Sequence, residues 1–320
     1  MDSVAIEPDL RRYHLPVLAP YRLDLTVSAL RRLSTNVVDL LTADGAYARV
    51  LGGARAPVFV HVAQTRPDML TVTVEGSAAD HAPTLALVRR MLGADRDLTP
   101  FYHAAARVPW LAQLAHRMRG VKPPRYPTLW EACVSVIVFQ QVSLFAASAV
   151  MRRLIVALGS PLEHVGATLY TFPTAESVLE ADDDILRAVG LSAGKLATLR
   201  RVGEALASGA LSEALLEGCP SLDAAALLQR IKGIGPWTAT VVLIRGLGRL
   251  DVFPMKDSSV ARNLTMVAGP APRDMAGTLA ELGPQQGMLY YHLLLARLEV
   301  SGDLGRASES ALGRPSDVVE

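Results

Sequence analysis

A glycine turn between two apolar segments is the part of the sequence best suited to chemistry. Residues 227–243 read LLQRIKGIGPWTATVVL and predict a short helix, a tight turn at Gly233-Ile234-Gly235 and a second helix beginning at Pro236. Glycine permits positive φ and close approach of a foreign backbone, and proline suits the first helical position. The amides of the turn and of the helix N-terminus would form a site for a phosphate oxygen. A hairpin that merely packs is the alternative.

Two further groups of polar residues stand where a site could form. Asp257 precedes a predicted helix that opens at Ser258, so its carboxylate is a candidate for chemistry, for an N-cap, or for both. The pair Gln140-Gln141 interrupts an uncharged stretch over 132–151, which has the length of a membrane span. Because the two glutamines lie near its middle, we expect a buried helix with a functional polar break, or a break whose amides are satisfied internally.

The sequence patterns of the elements that must position these residues predict an α+β fold. Segments at 23–27, 58–62 and 70–74 alternate apolar and polar residues and predict strands, with helices near 28–33 and 83–93. Strand patterns end at about 98, and helices follow, one of them opened near 128 by the capping box of Thr128 and Glu131. We therefore expect an N-terminal extension over 1–19, an α+β domain over 20–100, an all-helical domain over 101–300 and a disordered tail over 301–320.

Composition excludes several classes of protein. The 320 residues carry a formal net charge of +1, and half are hydrophobic but only 5% aromatic, which favours an aliphatic, helical core. Two cysteines cannot form a four-cysteine zinc site or iron–sulfur cluster, so we expect a reduced, cytoplasmic protein. The N-terminus lacks the apolar region of a secretory signal, and no contact with a membrane is expected.

Positive charge is concentrated in two segments, 101–130 and 225–262. Such segments are either ordinary solvated faces or surfaces that contact phosphates. Their basic residues are Arg107, Arg117, Arg119, Lys122 and Arg125 in the first, and Arg230, Lys232, Arg245, Arg249, Lys256 and Arg262 in the second.

The sequence resembles the helix-hairpin-helix DNA glycosylase superfamily in three motifs and in their order. These are the run FQQVS at 139–143, the hairpin and the trailing Asp257. The chain is most similar to the DNA-3-methyladenine glycosylase II type, over roughly 20–300. The resemblance implies an N-terminal α+β domain similar to half of TATA-binding protein, followed by an all-α glycosylase domain. It further implies a monomeric base-excision-repair enzyme that flips alkylated purines such as 3-methyladenine out of double-stranded DNA and hydrolyses their N-glycosidic bond.

The resemblance also implies roles for single residues. Asp257 matches the catalytic aspartate, and Trp237 stands where bifunctional members have the lysine that attacks the sugar, which implies an enzyme without lyase activity. Gln141 matches the wedge that fills the gap left by a flipped nucleotide, with Gln140 beside it. The resemblance implies a base pocket formed by Trp237, Phe139 and Tyr290. It implies contacts with the DNA backbone at Gly233, Ile234, Gly235, Thr238 and Lys256. It also implies a structural monovalent cation on the carbonyls of Gln229, Ile231 and Ile234, with no other cofactor required.

The sequence departs from the family pattern in the pocket. Val241 and Leu294 stand where members can have aromatic residues, and Phe139, Tyr290 or Tyr291 could compensate, so the substrate range stays open. Two alternatives remain for the function as a whole. One is a glycosylase for other damaged or mismatched bases on the same scaffold. The other is a non-catalytic hairpin module that binds DNA.

Overall fold

An antiparallel sheet of five strands forms the N-terminal part of the computed structural model, which describes residues 9–53, 56–164, 167–255, 257–269 and 274–308. In the middle of the sheet Val60 pairs with Val74 and Val62 with Val72, so the period-two pattern puts valines on one buried face. The strands are β1 (Asp9–Pro16), β2 (Leu40–Leu41), β3 (Tyr47–Leu51), β4 (Val58–Arg66) and β5 (Met69–Gly76), paired in the order β1-β5-β4-β3-β2.

The first strand changes the predicted start of the folded chain. β1 lies inside the expected extension over 1–19 but pairs along its whole length with β5, from Asp9 opposite Gly76 to Pro16 opposite Met69. The sheet therefore begins earlier in the sequence than its alternation indicates, because β1 is an edge strand with mostly exposed side chains.

The strand predicted at 23–27 is wrong, because these residues begin helix α1 (Leu23–Arg31). Leu23 and Val27 pack in the core beneath the sheet, whereas Leu25 and Ala29 pack in a second core among the later helices. A helix buried on two sides needs apolar residues on both sides. In α1 this produces a sequence that alternates apolar and polar residues as a strand does. Helix α2 (Ala78–Met91) packs against β5 and confirms the helix predicted near 83–93.

The rest of the described chain is mainly helical and has two cores. Val242 of the second hairpin helix packs in one core and Ile244 in the other, so this helix is held in the middle of the domain. The helices are α3 (Thr99–Ala106), α4 (Pro109–Arg117), α5 (Leu129–Val138), α6 (Leu144–Leu158), α7 (Ala175–Glu180), α8 (Asp183–Ala188), α9 (Ala193–Ala207), α10 (Glu213–Glu217), α11 (Ser221–Gln229), α12 (Pro236–Leu247), α13 (Ser258–Ala268), α14 (Met275–Leu282) and α15 (Gly287–Ser301), with a short 3-10 turn at Gly283–Gln285.

The uncharged stretch over 132–151 is divided between two helices. The Thr128 hydroxyl accepts a hydrogen bond of 3.1 Å from the Glu131 amide, which confirms the predicted cap of α5. The chain leaves helical geometry after α5, and Gln141 has a φ of +56° before α6 begins. The polar break is thus a turn between helices. Among the described residues, no helix is long and apolar enough to cross a membrane.

The structure contains a β-hairpin that the sequence did not predict. Strands β6 (Pro161–His164) and β7 (Ala167–Tyr170) have four residues each, which is too short for a period-two pattern to stand out. Leu169 is buried with Leu40 and Phe59 of the large sheet, so tertiary packing stabilises this hairpin.

The chain after α15 stays folded as far as Ser308, so the tail predicted over 301–320 begins too early. Ser308 is fully buried, and its hydroxyl accepts hydrogen bonds of 2.9 Å from the Arg31 guanidinium and from the Leu41 amide. Residues 309–320 lie outside the described part of the chain.

Much of the expected basic surface is used inside the protein. Lys122 is buried and donates to the carbonyl of Arg96, and Arg125 donates to that of Gly246. The fully buried Arg245 donates to two carbonyls at the end of α1. These side chains stabilise packing and are not available to phosphates. Among the described residues near the hairpin, Arg230, Lys232 and Arg262 stay exposed.

A buried ion triad joins the sheet to the helical part of the chain. Arg49 on β3 lies 2.6 Å from Asp39 and 2.5 Å from Glu131 on α5, and all three side chains are almost fully buried. Burial raises the pKa of Glu131 to about 7. Removing Arg49 would leave two buried carboxylates without a counter-charge, which is strongly destabilising.

Candidate active site

A cleft of about 830 Å³ opens where three predicted motifs meet. Its lining comes from residues 139–143 after α5, residues 233–238 at the hairpin, and residues 257–259 with Arg262 at the start of α13. The three segments are separated in the sequence by about 90 residues and by about 20 residues. The fold therefore gathers them into one site.

The hairpin turn has the geometry that its glycines predict. Gly233 has a φ of +105°, and a Cβ there would lie 1.9 Å from the Thr198 hydroxyl, so only glycine fits. Gly235 is the N-cap of α12 and Pro236 its first residue. Gly233, Gly235 and Pro236 are exposed while Ile234 is buried, so the side chain anchors the turn and the backbone faces the cleft. First-turn amides of α12 lack intrahelical partners and could donate to a phosphate oxygen.

Asp257 is held from two directions. One carboxylate oxygen accepts hydrogen bonds from the amides of Ser259 (2.7 Å) and Val260 (3.2 Å), so Asp257 caps α13. The other oxygen accepts a hydrogen bond of 2.6 Å from the indole Nε1 of Trp237. The residue is only 7% exposed but lines the cleft. A carboxylate fixed in this way can stabilise positive charge that develops in front of it.

Trp237 combines two functions that the sequence did not connect. Its ring is half-buried, lines the cleft and packs against the first helical core, as either a pocket residue or a core anchor would. Its N–H orients the carboxylate of Asp257, a contact between residues 20 positions apart. The Trp237 indole therefore fixes one carboxylate oxygen of Asp257 and forms part of the cleft wall.

The two glutamines occupy different environments. The Gln140 amide donates to the Gly233 carbonyl (3.1 Å) and to the Thr238 hydroxyl (2.7 Å), so this side chain ties the turn after α5 to the hairpin. Gln141 is exposed and has positive φ, which turns it out of the helix direction. Of the two predicted wedge residues, Gln141 is thus the one free to enter a base stack.

The predicted base pocket is only partly assembled at the cleft. Phe139 lines it and is half-buried. Tyr290 lies in α15, makes an edge contact with Tyr291 and packs against both cores without lining the cleft. Val241 is fully buried, and Leu294 packs in the second core. Of the predicted pocket residues, Phe139 and Trp237 therefore line the cleft.

The residues predicted to contact the DNA backbone or a cation lie in different environments. Thr238 is buried, and its hydroxyl accepts the bond from Gln140, so it supports the hairpin from inside. The carbonyl of Ile231 accepts from the Ile234 amide (3.0 Å) and keeps a second lone pair for a cation. Lys256 lies outside the described residues. Within the described chain, no cluster of three His, Cys, Asp or Glu side chains could hold a metal ion.

Two cationic residues near the cleft have positions that the sequence analysis did not assign, although it lists Arg262 in the basic segment over 225–262. Arg262 lines the cleft and is exposed, one and a half turns after Asp257 on α13. Lys195 donates a hydrogen bond of 2.8 Å to the Val138 carbonyl at the end of α5, and burial lowers its pKa. The position of Arg262 five residues after Asp257 could have indicated its role. The contact of Lys195 depends on tertiary packing alone.

Comparisons with known proteins agree with this arrangement. The family described as HhH-GPD superfamily base excision DNA repair protein matches residues 134–283, which include all three cleft segments. A solved structure, described as 3-methyladenine DNA-glycosylase from Archaeoglobus fulgidus, is similar with a TM-score of 0.74 and 23% identity, covering 90% of this chain and 99% of that one. This likeness concerns the fold.

Two curated relatives are similar in sequence. The chain is 30% identical over 261 residues to the probable bifunctional transcriptional activator/DNA repair enzyme AlkA of Mycobacterium tuberculosis, covering 81% of this chain and 51% of that protein. It is 31% identical over 173 residues to the DNA-3-methyladenine glycosylase of Bacillus subtilis, covering 54% of this chain and 57% of that protein. The chain thus spans about half the length of these relatives. Over residues 134–283 the chain is similar to the HhH-GPD superfamily of base excision DNA repair proteins.

Proposed function

We propose that the protein is a DNA glycosylase that hydrolyses the N-glycosidic bond of alkylated purines such as 3-methyladenine in double-stranded DNA. The observation that carries the proposal is the Asp257 carboxylate, fixed by the Trp237 indole and two α13 amides beside the glycine hairpin. A structural N-cap needs neither the cleft nor the indole. The names of the relatives, which include DNA-3-methyladenine glycosylase, support the same activity.

The mechanism follows from the positions of these groups. A base inside a duplex cannot reach Asp257, so the damaged nucleotide must be flipped into the cleft while Gln141 fills its place in the stack. Bond cleavage leaves a sugar with oxocarbenium character, and the fixed carboxylate stabilises this charge and orients the attacking water. Alkylated purines such as 3-methyladenine are already cationic and leave without a strong acid.

The hairpin binds the DNA backbone without reading its sequence. Its exposed backbone and the first-turn amides of α12 suit phosphate oxygens, which fix the register but carry no sequence information. The exposed cations Arg230, Lys232 and Arg262 add electrostatic attraction that depends on salt.

We propose hydrolysis without lyase chemistry. A lyase needs an amine that attacks the sugar, and the described residues that line the cleft include no lysine. Trp237, which stands at the position of that lysine in bifunctional relatives, is instead bonded to Asp257.

Further properties belong to the same proposal. The N-terminal sheet and its helices would correspond to half of a TATA-binding protein, and the carbonyls of Gln229, Ile231 and Ile234 would hold a structural monovalent cation. The protein would act as a monomer in the cytoplasm, at the nucleoid, with 101–300 as its glycosylase domain. No other cofactor enters the mechanism.

Analysis of bases released from damaged DNA tests the proposed function. Purified protein is incubated with methylated duplex DNA, and the free bases are separated and identified by mass. Release of 3-methyladenine is the expected result. Release of oxidised or mismatched bases alone would replace it with a different glycosylase on this scaffold. Binding without release of any base would leave a non-catalytic module.

A further inference from the structure

The guanidinium of Arg32 crosses from the end of α1 to the cleft wall. Its carbon lies 3.7 Å from the centroid of the Phe139 ring, which is the distance of a stacked cation–π contact. Arg32 is the C-cap of α1 with a φ of +66°, a conformation that costs free energy for any residue except glycine. The fold therefore holds an arginine, under strain, against this ring.

This guanidinium is buried and incompletely satisfied. Arg32 is 5% exposed, and its Nη1 has no hydrogen-bond partner. Among the described residues it also makes no ion pair within 4 Å. A largely buried cation without a carboxylate partner exerts its charge on the groups around it.

Phe139 separates this charge from the cleft. The ring lines the cleft that contains Asp257, and it also lines a small cavity of about 40 Å³ shared with Arg32. Arg32 lines only the cavity. A base stacked on the cleft side of Phe139 would thus have the guanidinium behind the ring.

The other charged groups of the cavity do not neutralise Arg32. Asp39 and Glu131 line it, but Arg49 bonds to both carboxylates. Arg31 lines it as well and donates to the backbone carbonyl of Asp303. Together with Arg152 at its rim, the group contains more cations than carboxylates.

We propose that Arg32 is a specificity-determining residue, which makes the cleft discriminate against bases with a fixed positive charge and in favour of neutral damaged bases. This inference rests on the proposed glycosylase function. A base about 3.5 Å beyond the ring would lie about 7 Å from the guanidinium, and two unit charges at that distance repel each other. The guanidinium also draws on the same π electrons that would otherwise attract a cationic base.

The expected size of the effect is about tenfold. At an effective dielectric of about 20, repulsion over about 7 Å corresponds to a factor of about 50, and water in the open cleft reduces it to about 10. Trp237 offers a second aromatic surface without such a cation, so the cleft still accepts charged bases. Arg32 sets the ratio of the rates at which cationic and neutral damaged bases are released.

Paired substrates measure this ratio directly. One oligonucleotide carries 7-methylguanine, a cationic base, and a second of identical sequence carries hypoxanthine, a neutral one. Values of kcat/KM, from single-turnover reactions at subsaturating enzyme, are measured for the wild type and for Arg32→Met, Arg32→Gln and Arg32→Lys. The Met and Gln variants remove the charge and differ in polarity, so that one remains informative if the other unfolds. The Lys variant keeps the charge.

The neutral variants should raise the rate ratio of 7-methylguanine to hypoxanthine about tenfold, and Arg32→Lys should retain the wild-type ratio. A general structural defect would slow both substrates alike and leave the ratio unchanged. An unchanged ratio in a folded neutral variant, or a Lys variant that behaves like Met, would overturn the inference. A wild type that releases neither of these bases but does release 3-methyladenine would also overturn the inference, whereas one that releases none of the three would contradict the proposed function.

Discussion

Replacement of Asp257 by asparagine should abolish most base release while the protein still folds and binds DNA. The variant removes one negative charge, and a carboxylate next to the sugar would lie about 4 Å from the developing cation. At an effective dielectric of about 20 this charge is worth about 4 kcal/mol, or about 10³ in rate. Measured losses of single electrostatic contacts in enzymes are of about 10²–10³. Single-turnover release of 3-methyladenine from methylated duplex measures the effect.

The structure also predicts how stability changes in this variant. An asparagine can keep its oxygen towards the amides of Ser259 and Val260, but its NH₂ group then faces the Trp237 N–H at 2.6 Å. Two donors repel each other, and a lost hydrogen bond of this kind costs about 1–3 kcal/mol. Trp237→Phe removes the opposing donor. In that background Asp257→Asn should cost less stability, while base release stays abolished.

Asp251 provides the matched control for charge. It lies on the same connection, is exposed, and its side chain accepts a hydrogen bond of 2.9 Å from the Ser221 hydroxyl, which an asparagine can also accept. Asp251→Asn should therefore release bases at close to the wild-type rate. A folded Asp257→Asn variant that matched this control in activity would refute the electrostatic mechanism.

Four other predictions concern binding, base flipping, chemistry and pH. The affinity for undamaged duplex should fall steeply between low and physiological salt in a fluorescence titration, and a flat response would argue against phosphate contacts. Gln141→Ala should slow base release from duplex more than from single-stranded substrate, because only the duplex leaves a gap to fill; equal losses would indicate a packing role. Borohydride should trap no covalent adduct with abasic DNA, in contrast to a bifunctional control enzyme. Since burial raises the pKa of Glu131 to about 7, the folded protein binds a proton there that the unfolded chain has lost above its ordinary pKa of 4.5. The free energy of unfolding should therefore decrease as the pH rises through this window, and thermal melts of Glu131→Gln should show a smaller decrease than those of the wild type.

The parts of the site that could be predicted are those with local causes. A positive φ at Gly233 and a cap at Asp257 each depend on a few adjacent residues, and the structure shows both. Trp237 and Asp257 could each be identified, but the bond between them could not, because it depends on how α12 and α13 pack. The same holds for Gln140, whose type indicates a polar contact but not the Gly233 carbonyl as its partner.

The wrong predictions about the fold have the opposite cause. Burial in the tertiary structure produces sequence patterns that local rules assign to the wrong element. Leu23 and Leu25 alternate like strand residues because α1 lies between two cores. Leu169 belongs to strands too short to recognise, which are stable because they cover the outer face of the sheet. Ser308 lies in a polar segment that resembles a tail but satisfies two donors in the protein interior. In each case the information resides in residues far away in the sequence.

The proposed functional residues lie at helix ends, and this position would let a rigid domain bind DNA and react with it. Gly235 and Asp257 are the N-caps of α12 and α13, Phe139 ends α5, and Arg32 ends α1. Helix ends carry backbone groups without intrahelical partners, and their flanking residues can leave helical geometry. Helix ends therefore provide amide donors for a phosphate or a carboxylate. They also tolerate an unusual φ such as that of Arg32. The helices themselves are held in place by the two cores. Reorganisation on binding is then small, which is the condition under which one carboxylate has a large effect on rate.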